Sequence, residues 1–385
     1  MPSISLLKIM KHKPNFYFDN NASTPIHPKI LKSYSRYLKT FANPSSLHQL
    51  GRLARSGIEN TREKMANLLN CYPEQIIFTS SGCESNCQIM QSFPFTNKNA
   101  PLLYESSAHS SIRNTATYLK THHNQCYKIP VNEKGHLQFE PIKSYIKKSS
   151  LISFLGANNE TGTLQDFKII KEIQNKYQAL IHCDAIQLLG KIPLDIKKLD
   201  FDFMSFSSHK IYAPKGVGVI YSKNPDLLKP LINGPSHEKS LRAGTENVAC
   251  IMAFGQAIDL IKDINHKAIQ QLTKKLYLQI KSELPDTIRL GDSLNCINNT
   301  LCLSFPGING HSLAMRLDLE GICVSTGSAC SVGAIEPSPV LEAMNISHQT
   351  NIESIRISLG QFNTEQEIDY LTKVLKKIIH NIKKQ

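Results

Sequence analysis

Six short apolar runs rich in β-formers, at 76–78, 102–104, 151–155, 180–182, 203–206 and 217–221, recur along this chain. Several are separated by stretches with helical spacing, such as Phe167–Tyr177. Runs that are apolar throughout belong to strands buried on both faces, and their alternation with helices points to an α/β fold with a mostly parallel sheet sandwiched by helices. Such sheets bind ligands beyond the carboxyl ends of their strands, and the polar residues of interest gather there. Near residue 255 the character changes. A helical stretch over 251–284 is followed by an apolar run at 301–305, the Cys323 region and a terminal helix, which reads as a smaller α+β domain. At 385 residues there is material for two domains. The expected division is 17–258 for the large one and 1–16 with 259–385 for the small one.

Composition removes several classes of function. No apolar stretch is long enough to span a bilayer. The short apolar run at 4–10 is broken by Lys8 and followed by Lys11, His12, Lys13 and Pro14, which is not the pattern of a signal peptide. Ten cysteines without a CxxC pair resemble neither a disulfide framework nor a zinc site, so no metal is expected, and reduced thiols suit the cytoplasm. The net charge of +13 would attract tRNA, an acidic protein or a membrane. No aromatic-laced basic patch accompanies it, however, and the lysines of 373–384 interleave with Val374, Leu375, Ile378, Ile379 and Ile382 as the wet face of a helix. This argues against direct binding of nucleic acid or membrane.

The strand ends carry the chemistry. Asp184 closes one apolar run, and Ser207-Ser208-His209-Lys210 closes a nearby one. A carboxylate and an amine so placed can grip opposite ends of a pyridine-ring cofactor, Asp184 on the ring nitrogen and Lys210 on the aldehyde. The bland alternatives are a helix cap for Asp184 and a solvated lysine, with Lys215 as a rival only five residues away. Ser80 to Asn86 forms a small-residue loop before a helix start, including Gly82 and Cys83, where free N–H groups and the helix dipole can hold a phosphate. Ser207 can add a donor. Gln187 and Asn159 can reach the ring's phenolic oxygen, and His109 can stack on the ring, although turn and surface roles are commoner for such residues.

Two further segments concern sulfur and carboxylate chemistry. Cys330 lies in a small-residue stretch of about 324–336 that reads as a mobile, exposed loop, suiting a nucleophile that carries sulfur. An unreactive loop cysteine is the plain alternative. Ser354 to Gly360 alternates like a strand and presents Arg356, which can clamp an α-carboxylate bidentately or form an ordinary salt bridge.

Together these residues resemble the cysteine desulfurase family of fold-type I pyridoxal-phosphate enzymes, in the class-V aminotransferase group. The motifs run from Tyr17-Phe18-Asp19-Asn20-Asn21-Ala22 through Asn43-Pro44-Ser45-Ser46, Ser207–Lys210, Arg242-Ala243-Gly244-Thr245-Glu246-Asn247 and Gly327-Ser328-Ala329-Cys330 to Arg356, nearly the whole chain. The extended loop resembles the long-loop group that supplies sulfur for iron–sulfur clusters and tRNA. The resemblance implies pyridoxal 5'-phosphate held by Lys210, Asp184, Gln187, Asn159, Ser207, His209, Gly82 and Cys83, with His109 stacked on the ring. It implies catalysis by Cys330, Lys210 and His109, and substrate binding by Arg356 and Asn159. It also implies a homodimer in which Thr245 reaches the neighbour's phosphate. L-cysteine would become L-alanine, leaving a persulfide on Cys330 for an acceptor protein, an iron–sulfur scaffold or a tRNA-thiolation enzyme. A selenocysteine lyase or another class-V enzyme, and an inactive sulfur-relay protein, are the competing expectations.

The sequence departs from the family at three points. Gly82-Cys83 stands where Ala-Thr is usual, which replaces a phosphate-binding hydroxyl by a thiol, a weaker donor. Ser208 replaces a glycine between Ser and His. Gly234-Pro235-Ser236 stands in place of a glycine-rich run.

Overall fold

The computed structural model describes residues 16–384 apart from 97–98, 122–124, 149, 328–329 and 332–333, with the backbone alone at 95–96, 330–331 and 334–335. Two compact units result. One comprises Ser23–Asn159 and Thr163–Ile264; the other takes the segment ending at Ala22, Glu160–Gly162 and the chain from Asn265 onward.

The larger unit is built on seven strands: β1 (Ile76–Thr79), β2 (Leu102–Glu105), β3 (Cys126–Ile129), β4 (Leu151–Leu155), β5 (Leu180–Asp184), β6 (Phe203–Ser207) and β7 (Gly218–Ser222). Their spatial order is β1-β7-β6-β5-β4-β2-β3. All pair in parallel except at β7, which runs antiparallel to both neighbours. The expected mostly parallel α/β sheet is therefore present. Five of its strands, β1, β2, β4, β6 and β7, are buried at every position, which is why their sequences are apolar rather than alternating.

Helices α1 (Pro28–Leu38), α2 (Gln49–Leu69), α3 (Gly82–Thr96), α4 (Ser110–Lys120), α5 (Phe167–Tyr177) and α6 (Val248–Leu260) belong to this unit. Ile89, Met90 and Phe93 of α3 and Ile112, Ala116 and Leu119 of α4 pack with Ile77, Leu102, Leu151 and Ile220 in one core. Elsewhere in the unit, Phe201 meets Phe154 and Phe167 edge-on at 5.9 and 5.7 Å. Strand β3 has no counterpart among the apolar runs. Only its two end residues are buried, so this edge strand lacks the continuous apolar signal.

The smaller unit holds an antiparallel sheet of β8 (Ile288–Leu290), β9 (Thr300–Ser304) and β10 (Ser354–Ser358), ordered β10-β9-β8. Helices α7 (His266–Glu283), α8 (Gly310–Leu319) and α9 (Glu365–Lys383) accompany it. The single helix expected over 251–284 is broken. Helix α6 ends at Leu260, a short 3-10 turn Ile261–Asp263 follows, and Asn265 restarts the chain by accepting from the Ala268 N–H at 3.0 Å. An asparagine at this point favours a cap over a helix interior.

Candidate active site at the carboxyl edge of the sheet

Because β1, β2, β4, β5 and β6 run the same way, their carboxyl ends and following loops share one edge of the sheet. Asp184 ends β5 and is 3 % exposed. Asn86, one turn into α3, donates its Nδ2 to Asp184 Oδ2 at 2.7 Å, and the Ile186 N–H donates to Oδ1 at 3.0 Å. Burial pushes the Asp184 pKa up, while these donors and the charges of His109 and Lys210 oppose the rise. The three ionisable groups thus lie within electrostatic reach of one another.

Lys210 lies in the 3-10 turn Ser208–Lys210, directly after β6, the strand beside β5. It is half-buried, whereas the rival Lys215 is exposed. The turn is tightly held. The Ser208 hydroxyl donates to the Pro214 carbonyl at 2.6 Å, and the Ser208 N–H donates to Val217 at 3.1 Å. Thr24 donates both its N–H and its hydroxyl to the His209 carbonyl at 2.9 Å, and accepts from the Tyr212 N–H at 2.7 Å. His209 Nδ1 lies 3.1 Å from Ser23 Oγ, and burial pulls its pKa down to about 4, so the ring is neutral at pH 7.

Helix α3 begins at Gly82. A Cβ there would fall 2.2 Å from Ile186 Cδ1 and 3.5 Å from Ser207 Cβ, so the helix start rests against the ends of β5 and β6. Gly218, paired with Ser207, is equally confined, since a Cβ would lie 2.3 Å from the Ser81 backbone. Glu84 accepts from the Ser80 N–H at 2.9 Å and from Arg242 Nε at 2.9 Å. Burial would raise its pKa, but these bonds bring it below the usual carboxylate range. Loss of solvation raises the Cys83 thiol pKa, Cys87 and Asp184 add to the rise, and Ser111 and Lys210 oppose it.

His109 caps α4, its Nδ1 accepting from the Ser111 N–H at 3.2 Å, and burial lowers its pKa. Gln187 is buried and accepts from the Lys191 ammonium. Asn159 is half-buried in the turn after β4. Thr245 stands exposed after Gly244, whose φ of +107° suits glycine. Asn86 and the buried acid Glu105 were not singled out from sequence. Each carried a signal: Asn86 lies four residues after Gly82, and Glu105 closes an apolar run just as Asp184 does.

In the smaller unit Arg356 sits in β10 and is buried, with Nη2 bonded to Asp19 Oδ1 at 2.6 Å. Its backbone exchanges hydrogen bonds with Ser325 at 2.7 and 3.1 Å. Cys330 and Ser331 pair antiparallel with Ala334 and Ile335 through the backbone. The Cys330 side chain, and Ser328 and Ala329 beside it, lie outside the described residues.

A sheet with these strand-end groups defines a fold-type I α/β architecture, and the comparisons with known proteins agree. The family described as Aminotransferase class-V matches residues 16–371. Cysteine desulfurase IscS of Dictyoglomus turgidum is 35% identical over 378 residues, covering 96% of both chains. Among solved structures, a NifS-like protein superposes with a TM-score of 0.87 at 32% identity, covering 95% of this chain and 99% of its own. The structure of SspA in complex with cysteine gives a TM-score of 0.80 at 28% identity, covering 91% of this chain and 100% of its own. The chain belongs to the class-V aminotransferase family and, within it, to the cysteine desulfurases.

Proposed function

We propose that this cysteine desulfurase holds pyridoxal 5'-phosphate between Lys210 and Asp184 and passes the sulfur of L-cysteine to Cys330. The observation that carries the reading is the placement of a half-buried amine and a buried carboxylate at the ends of adjacent parallel strands, each acting electrostatically on the other. The donor set fits the cofactor: an amine for the aldehyde, a carboxylate for a ring N–H, and the start of α3 with Ser207 for a dianion. When bound, the cofactor supplies an electron sink for the charge left at the substrate's Cα.

The protein's own groups do the rest. Arg356 fixes the substrate carboxylate, and for this its guanidinium must share or exchange Asp19. His109 stacks on the ring, while Asn159 and Gln187 orient its phenolic oxygen. Gly82, Cys83 and His209 complete the cofactor's surroundings. Lys210, freed by the incoming amine, takes the proton from Cα. The Cys330 thiolate attacks the substrate sulfur, the carbon–sulfur bond breaks, and the products are L-alanine and a Cys330 persulfide.

A homodimer is the working unit, with Thr245 reaching the partner's phosphate. Leu31, Leu38, Phe41, Leu47, Leu50 and Leu53 are exposed around α1 and α2 when the chain is taken alone, and a second copy would cover such a surface. The persulfide passes to an acceptor protein in the cytoplasm, either an iron–sulfur scaffold or a tRNA-thiolation enzyme. No helix among the described residues is long and apolar enough to cross a membrane.

The test is a pair of variants. Cys330→Ser is expected to take up the cofactor and bind cysteine but release no alanine. Lys210→Ala is expected to lose the visible band of the lysine-bound cofactor, whereas Lys215→Ala retains it. Undiminished alanine production by Cys330→Ser contradicts the sulfur-carrier role.

A further inference from the structure

Glu105 is a buried acid that the scheme above leaves unused. It closes β2, is 0 % exposed, and lies two strands from Asp184 with β4 between them. Its Oε2 accepts from the Leu155 N–H at 2.8 Å, and Leu155 is the residue of β4 that pairs with Asp184 on β5. Its Oε1 accepts from the Ser107 hydroxyl. Two buried carboxyl groups therefore flank a single cross-strand residue at the edge where Lys210 and His109 also act on Asp184.

A neutral amide would satisfy the Leu155 N–H and the Ser107 hydroxyl equally well, without the cost of burying an ionisable group. The charge is what distinguishes glutamate here. It falls on the β5 end directly, since both Asp184 and Cys183 feel Glu105 or are felt by it. A negative charge behind Asp184 favours any proton bound in front of it.

We propose that Glu105 is a positioning residue for the desulfurase reaction, a second buried carboxylate that acts through Asp184 to keep a proton on the cofactor's ring nitrogen. The inference rests on the reading that Asp184 faces that nitrogen. Burial raises the Glu105 pKa to about 7, with Ser107 and Leu155 pulling it down and Asp184 adding to the rise. Its charge is thus present above neutrality and withdrawn below it, and the grip on the ring proton follows.

The test uses the cofactor-loaded dimer and follows the pH midpoint of the visible absorption band. Glu105→Gln retains both hydrogen bonds, because the amide oxygen can accept from Leu155 and the amide N–H can donate to Ser107. It is expected to lower the midpoint by on the order of one pH unit. Ser107→Ala leaves Glu105 in place but removes a donor to its charged form. It is expected to move the midpoint the same way by less, and it keeps the test open if the first variant folds poorly. A purely structural role for Glu105 would change thermal stability and leave the midpoint alone. Loaded variants that titrate like the wild type overturn this inference alone. Wild-type protein that takes up no pyridoxal phosphate, or holds it at a lysine other than Lys210, overturns the underlying reading and this inference with it.

Discussion

Ser208 and Cys83 mark two places where single residues depart from the family pattern, with different physical consequences. The buried Ser208 hydroxyl is absorbed by the Pro214 carbonyl, so the extra polar atom reinforces the lysine-bearing turn. Ser208→Gly is expected to cost about 1–2 kcal/mol, the sum of a lost hydrogen bond and added backbone freedom, as measured by denaturant unfolding. At Cys83 a thiol stands where a hydroxyl would be the better phosphate donor. Cys83→Thr is expected to tighten cofactor binding several-fold, seen as slower loss of the visible band on dialysis; unchanged retention would place residue 83 away from the phosphate. Arg356 already bonds Asp19 at 2.6 Å. Arg356→Lys, which keeps the charge but loses the planar fork, is expected to raise the KM for cysteine about tenfold or more in steady-state assays. Sequence reading reached Asp184 and Lys210 because each closes a buried apolar run. It passed over Asn86, whose only local signal is its place four residues after Gly82 and whose bond to Asp184 is made across the fold, where α3 meets the end of β5.

Elements were legible where burial is uniform. The apolar runs correspond to β1, β2, β4, β5, β6 and β7, because strands covered on both faces leave no room for alternation. Edge strand β3 and the break between α6 and α7 escaped, the first because its middle residues are half-buried or exposed, the second because one asparagine cap outweighs the apolar periodicity on either side. The turn Ser208–Lys210 is fixed from outside its own sequence, by Thr24. Thr24→Val removes the hydroxyl that accepts from the Tyr212 N–H, leaving that buried donor without its acceptor, while the His209 carbonyl keeps only the backbone N–H of residue 24. A loss of about 1–3 kcal/mol and a lower melting temperature are expected, together with weaker cofactor retention. A variant as stable as the wild type would show that the turn holds itself.

For the whole molecule, pH and association supply the tests. His182 is fully buried between Ser153 and Ser205, and burial lowers its pKa to about 3, as it lowers that of His209 to about 4. Both side chains bind protons more readily when unfolded, near pH 6.5. Their contribution to stability is therefore intact above that pH and lost as pH falls through 6.5 towards 4. Glu105 works in the opposite sense, favouring the folded state below its ordinary 4.5 and losing that contribution as pH rises towards 7. Urea midpoints measured from pH 4 to 7 are expected to show a steeper acid-side fall in Glu105→Gln, where the opposing contribution is gone. On association, replacing Phe41 and Leu47 together by aspartate is expected to give monomers in sedimentation velocity with an intact circular dichroism spectrum; persistent dimers would place the interface elsewhere.

The reversal of β7 has a consequence for how this chain can drift. By returning alongside β6 it wedges Gly218 against the peptide of Ser81, with 2.3 Å left for any added carbon. Even one methyl group would press on the Ser81 peptide and lever the start of α3 away from its neighbours. Position 218 is thus closed to mutation on steric grounds alone, although no atom of its side chain exists to take part in the chemistry.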